Sequence, residues 1–200
     1  MTALKKPSQA RSMVTYANIL GAATDIILER GIKGLNTNVV AERAGINIGT
    51  LYHYFPNKTA ILTELFRIQQ DRREQVLSEK LDELPDAPDV RQWTAELFAL
   101  VRQLRMEQPT TVPMRRAFKS VPELAELDHV ATNRFADHLA GSLSRRFPGI
   151  EPERTSAIAH LLVEISLTVL DSPRVEGEGS TVFLAEAVRL VGAYADELGR

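Results

Sequence analysis

The sequence predicts an all-α fold, with a small three-helix, helix-turn-helix head at the N-terminal end and a longer helical domain behind it. Three observations carry that expectation. Apolar residues recur at helical spacing along most of the chain, clusters of proline and glycine interrupt the pattern, and no stretch alternates as a half-buried strand would. With 200 residues, 44% hydrophobic and 25% charged, the chain has ordinary globular composition and enough apolar surface for a sizeable core.

The elements follow in order. Residues 1–12, "MTALKKPSQARS", are polar and basic and read as a mobile arm. From about Val14 to Arg30 the apolar positions Ile19, Leu20, Ala23, Ile26 and Ile27 mark one face of a helix, which Gly31 is placed to end. A short helix is expected from Thr37 to Ala44, with Asn36 as N-cap and Gly45 as its stop. A second runs from Ile48 to Tyr54, capped by Asn47 and cut off by Pro56, which pushes the residue before it out of the helical region. After Lys58 the spacing predicts helices at about 59–81, 89–107, 113–119, 122–146, 152–171 and 181–198. They are separated by "LPDAPD", "EQPTTVP", "SVPE", "FPGIEPE" and "DSPRVEGEGS". The expected domains are therefore 1–58, arm plus helix-turn-helix, and 59–200, the helical remainder.

The segment "AGINIGTLYHYFPNK", residues 44–58, carries the functional signal. Successive helical residues point about 100° apart, so Tyr52, His53, Tyr54 and Phe55 cannot all face one core. In a helix-turn-helix the second helix enters the major groove while the first crosses the backbone. That geometry assigns Val40, Ala44, Ile46, Leu51 and Phe55 to packing, and it turns Ile48, Gly49, Thr50, Tyr52 and His53 outward. An exposed Tyr beside an exposed His suits hydrogen bonding to phosphate oxygens. Lys58 adds a cation.

At this point the stretch "GLNTNVVAERAGINIGTLYHYFPNKTAIL", residues 34–62, closely resembles the DNA-binding signature of the TetR family of transcriptional regulators. "ANILGAATDIILERG" resembles the helix that precedes it, so the resemblance covers roughly residues 14–66. It implies an N-terminal helix-turn-helix DNA-binding domain followed by a C-terminal helical ligand-binding and dimerisation domain. Phosphate contacts would fall to Thr37, Tyr52, His53 and Lys58, and base-edge contacts to Asn38, Ile48, Gly49 and Thr50. The family often has Thr where Asn36 stands, and Arg or Lys at the place of Asn38 or Ile48. Without that basic residue the bidentate guanine contact is missing, and A·T-rich contacted positions are expected in the operator.

Charge is distributed to match. Residues 1–58 hold seven Lys/Arg against three Asp/Glu, a balance of +4, whereas the remaining 142 hold 17 against 23, a balance of −6. A basic front suits a polyanionic partner. Lys5, Lys6 and Arg11 of the arm reach a minor groove or form only a solvated tail.

Behind the head, segment 152–171 is apolar on most sides and carries His160, Glu164, Thr168 and Asp171 on one narrow stripe. The last helix shows Phe183, Ala187, Leu190, Val191, Tyr194 and Leu198 as another broad apolar face. Two such helices per chain suit a four-helix contact across a two-fold axis, as the resemblance also implies. A homodimer is needed physically too, because one small helix reads too few bases to find a site in a genome. Trp93, Phe98, Met106, Met114 and Phe118 are expected in the core. Pocket lining is the second reading for these five, with Met106 and Phe118 taken as its candidates, and His138, His160 and Glu164 either line an effector pocket or mark helix edges.

No cysteine is present, which excludes disulfides and thiolate metal sites. No nucleophile-and-base constellation, phosphate-cradling glycine loop or metal-ligand spacing appears, so neither an enzyme nor a cofactor or metal is implied. No apolar run has the length of a membrane span and no leader precedes the first helix, so a cytoplasmic location and no membrane partner are expected. The expectation is a homodimeric regulator, of repressor type by family analogy, that binds a palindromic double-stranded DNA operator and responds to an unknown small-molecule effector. The alternative is the same fold without a small-molecule effector, controlled by a protein partner.

Overall fold

The computed structural model describes residues 10–108, 110, 122–175 and 179–199, and within them every regular element is helical. Helix α1 spans Ala10–Gly34 but is broken at Gly31, whose φ of 67° and ψ of 177° lie where only glycine sits without strain. Then come α2 (Thr37–Arg43), α3 (Ile48–Tyr54), α4 (Lys58–Asp82) and α5 (Val90–Glu107). The chain continues through α6 (Pro122–Arg146), α7 (Pro152–Leu170) and α8 (Ser180–Glu197), and short 3-10 turns lie at Leu84–Asp86 and Pro173–Val175. The helix expected at 113–119 lies outside the described residues, as do Lys5 and Lys6 of the arm. Residues 10–12, expected in the arm, instead form the first turn of α1, where Ser12 bonds to Tyr54.

The described residues divide into two compact units. One holds residues 10–70 together with 108, 110 and 122–124, and the other holds 71–107 with 125–175 and 179–199. In the first, Ile19, Ala23, Ile26 and Ile27 of α1 face inward together with Val40, Leu51 and Phe55, all essentially without solvent exposure. α4 belongs to this unit as far as Gln70, because Ile61, Leu62, Leu65 and Phe66 are buried in the same way. Each such side chain stabilises the fold by roughly 1.5–3 kcal/mol relative to exposure.

The second unit has its own core of Leu81, Trp93, Phe98, Leu139, Ile158, Leu162 and Val191, among others. α5 and α8 pack closely, with Gly192 beside the backbone of Arg91 and an Arg91–Asp196 ion pair of 2.9 Å at the edge. Trp93 keeps its indole N–H satisfied by donating to the Lys80 carbonyl at 3.1 Å. Trp93 and Phe98 are core residues as expected, but Met106 is 74% exposed. It stands in the last turn of α5 on the side away from Leu104, the last buried position of that helix. Met114 and Phe118 lie outside the described residues. No helix among the described residues is long and apolar enough to cross a membrane.

Candidate nucleic-acid interface

The turn between α2 and α3 is built by short polar side chains and one glycine. Asn36 adopts an extended conformation and its Oδ1 accepts the Val39 N–H at 3.0 Å, which satisfies one of the free donors at the start of α2. Gly45 takes a φ of 67°, the left-handed position that ends a helix. Asn47 repeats the cap for α3, accepting from Thr50 N–H at 2.7 Å. Phe55 closes the helix with its N–H on the Leu51 carbonyl at 2.9 Å, immediately before Pro56.

The four rings divide as helical geometry requires. Leu51 and Phe55, one turn apart, are fully buried, whereas Tyr52 and His53 are exposed. Tyr54 takes the third direction. Its hydroxyl meets Ser12 Oγ at 2.8 Å, and the His53 ring stands edge-on to it at 5.5 Å. Phe55 stacks on Tyr16 of α1 with ring centroids 5.4 Å apart. Tyr16 in turn donates its hydroxyl to the buried Glu64 of α4, and Arg67 donates to the same carboxylate at 2.7 and 2.9 Å. Burial, then the neighbouring Glu64 carboxylate, push the Tyr16 hydroxyl well above its ordinary range, so it stays a neutral donor.

This Tyr16–Glu64–Arg67 group was not anticipated from the sequence. Its signal was nevertheless present, as a lone carboxylate set among Ile61, Leu62, Leu65 and Phe66.

Outward-facing positions form one polar surface. Asn38, Ile48, Gly49, Tyr52 and His53 are exposed, and Thr37 and Thr50 are half-buried. Thr37 at the start of α2 and Tyr52 on α3 are brought together, hydroxyl to hydroxyl at 3.2 Å. Lys58 is half-buried and its ammonium donates to the Ile32 carbonyl at 2.6 Å; burial lowers its proton affinity. Arg43 is engaged by Glu29 at 2.5 Å, and this pairing with Arg43 holds the exposed Glu29 carboxylate below its usual range.

The described effector candidates are dispersed within the second unit. His138 Nε2 is 2.9 Å from Asp82, which Arg145 also reaches at 3.2 Å. His160 places Nδ1 3.0 Å from the Ser156 carbonyl and Nε2 3.8 Å from Asp137. Glu164 is exposed, as is Met106, and Phe118 lies outside the described residues. A cleft of about 610 Å³ is lined by Glu79, Lys80, Asp82, Glu83, Trp93 and Glu96, among others, and by none of these candidates. Within it Lys80 bonds Glu83 at 2.6 Å and Glu96 at 2.7 Å. No group of three or more His, Asp or Glu side chains able to hold a metal ion is found among the described residues.

The architecture is that of an all-helical protein with an N-terminal helix-turn-helix head. Residues 19–65 match the bacterial regulatory proteins of the tetR family. The chain is 36% identical over 69 residues to the fatty acid metabolism regulator protein of Bacillus subtilis, covering 32% of this chain and 36% of that one. It is 26% identical over 155 residues to the transcriptional repressor KstR of Rhodococcus jostii, covering 76% of this chain and 69% of that one. A crystal structure described as a tetR-family transcriptional regulator of Mesorhizobium loti superposes with a TM-score of 0.72 at 18% identity, over 95% of this chain and 97% of that one. Residues 19–65 thus carry the domain of the tetR family of bacterial regulatory proteins, and the rest of the chain shares the fold of the superposed structure. The chain spans about a third of the length of the Bacillus regulators that it matches.

Proposed function

We propose that the protein is a ligand-responsive transcriptional repressor that binds a palindromic operator as a homodimer. The observation that carries this reading is the pairing of an outward Tyr52 and His53 on α3 with Thr37 at the start of α2, over a fully buried Leu51 and Phe55. In this reading Thr37, Tyr52, His53 and Lys58 hold phosphates, and Asn38, Ile48, Gly49 and Thr50 meet base edges, the apolar ones against thymine methyls.

The dimer is assigned to α7 and α8. Beyond the inward positions Ala187, Val191 and Ala195, these helices carry a second apolar set, with Leu161 53%, Val182 66%, Leu190 66% and Tyr194 39% exposed. Large apolar side chains this exposed on two helices suit a buried interface with a second copy. The repressor role follows that of the Rhodococcus relative, a transcriptional repressor. The effector is assigned to the helical region after Lys58 and acts by favouring a conformation whose two heads no longer match successive major grooves, which requires unequal affinity for the two conformations.

Titration of the protein with a selected palindromic duplex across a range of salt tests this. The expected result is one dimer per palindrome, with log K falling by roughly 0.9 per phosphate neutralised for each tenfold rise in salt. Binding that ignores both sequence and salt would refute it.

A further inference from the structure

Lys58 is poorly described as a phosphate contact alone. A side chain whose only task is to meet DNA is ordinarily free in the unbound protein, yet this ammonium is half-buried and 2.6 Å from a backbone carbonyl. The carbonyl belongs to Ile32, immediately after the break at Gly31, and it also accepts the Leu35 N–H at 3.2 Å. That turn leads directly into Asn36, the cap of α2, and Thr37, whose hydroxyl is 3.2 Å from that of Tyr52.

We propose that Lys58 is a positioning residue of the interface: it clamps the Ile32–Leu35 turn to the start of α4 and thereby sets Thr37 against Tyr52, so that one phosphate meets both hydroxyls. The inference rests on the DNA-binding reading above and deepens it. An ammonium has three donors, so a proton remains for a phosphate while one is committed to Ile32. A bond from a charged donor is stronger than one between neutral groups, which suits a contact that must hold a glycine-broken turn. Leu35, fully buried beside the turn, fixes the other side.

The test is a double-mutant cycle with Lys58→Met, which keeps the apolar stem and removes the ammonium, and Thr37→Val. Affinities are measured below the melting transition of each variant, on the selected palindromic duplex and on a random-sequence duplex. Thr37→Val should weaken palindrome binding by about 10²- to 10⁴-fold in the parent protein, since a dimer makes the bond to phosphate twice, but by less than about 10-fold once Lys58 is Met, because Thr37 is then already misplaced. Lys58→Met should weaken binding to the palindrome and to random duplex alike, because the hydroxyls it positions meet a phosphate. In the free protein, the Leu35 amide should exchange faster in Lys58→Met.

Losses that multiply, with Leu35 protection unchanged, would overturn the proposal. Failure of the parent protein to bind any duplex would instead overturn the DNA-binding reading, and Leu35 exchange would still decide whether the ammonium holds the turn.

Discussion

Removing one oxygen at Tyr52 separates recognition from folding. In Tyr52→Phe the ring keeps its place, and the hydroxyl gives up a single contact, the 3.2 Å approach to Thr37 on an exposed surface. Such a bond contributes well under about 1 kcal/mol to folding. A change of 1 kcal/mol moves the Tm of a chain this long by roughly 2–4 °C, so the melting temperature should stay within about 2 °C of the parent. In the proposed complex the same hydroxyl donates to a phosphate, a bond to a charged group of about 1.5–3 kcal/mol. A dimer makes it twice, so the expected loss is about 3–6 kcal/mol, roughly 10²- to 10⁴-fold in Kd. Because phosphates carry no sequence information, palindromic and random duplexes should lose alike. The slope of log K against log salt should not change, since no cation is removed. Fluorescence anisotropy titrations at several salt concentrations, beside thermal melts, read all of this. Unchanged affinity with an unchanged Tm would refute the assignment of Tyr52 to the DNA-facing surface.

Leu190→Glu puts a charge on an exposed apolar position of α8; it should leave helicity intact and convert the sedimenting dimer to monomer. Glu64→Ala removes the buried acceptor that Tyr16 and Arg67 share; a loss of about 2–3 kcal/mol is expected, read as a fall in Tm of roughly 5–10 °C. Asp82 has its carboxyl held below the usual range, first by the hydrogen bond from His138 and further by Arg145. A carboxylate whose pKa is depressed on folding stabilises above its unfolded value, about 3.9, and loses that contribution as pH falls through the folded value. Asp82→Asn should therefore lower the Tm at pH 7, and the difference from the parent should shrink as pH falls through the depressed folded value.

The helix-turn-helix head was legible in detail because each of its features has a local cause. Asn36 and Asn47 are caps, Gly45 is a left-handed stop and Pro56 follows Phe55, the C-cap of α3, so α3 was placed at its observed bounds. The division of Leu51 and Phe55 from Tyr52 and His53 is likewise a matter of angle along one helix. What escaped the sequence depends on contacts between distant residues. The Ser12–Tyr54 bond joins positions 42 apart and Tyr16–Glu64 joins positions 48 apart, and no periodicity encodes either.

The apolar face of α8 was anticipated as one broad surface. In the structure it separates into an inward row at Ala187, Val191 and Ala195 and an outward set at Val182, Leu190 and Tyr194. Sequence shows that a helix is apolar on several sides but not which side the chain itself covers. Met106 shows the limit from the other direction, since an apolar residue in the last turn of a helix stands exposed where the preceding turns are covered.

The most direct test of the account is selection of bound duplexes from a random pool, followed by sequencing. The account predicts an inverted repeat whose half-site centres lie about one helical turn, roughly 34 Å, apart, with A·T pairs where Ile48 and Thr50 meet the bases. Recovered pools with no enriched sequence, or with a single unsymmetric site, would contradict two identical subunits each reading one groove.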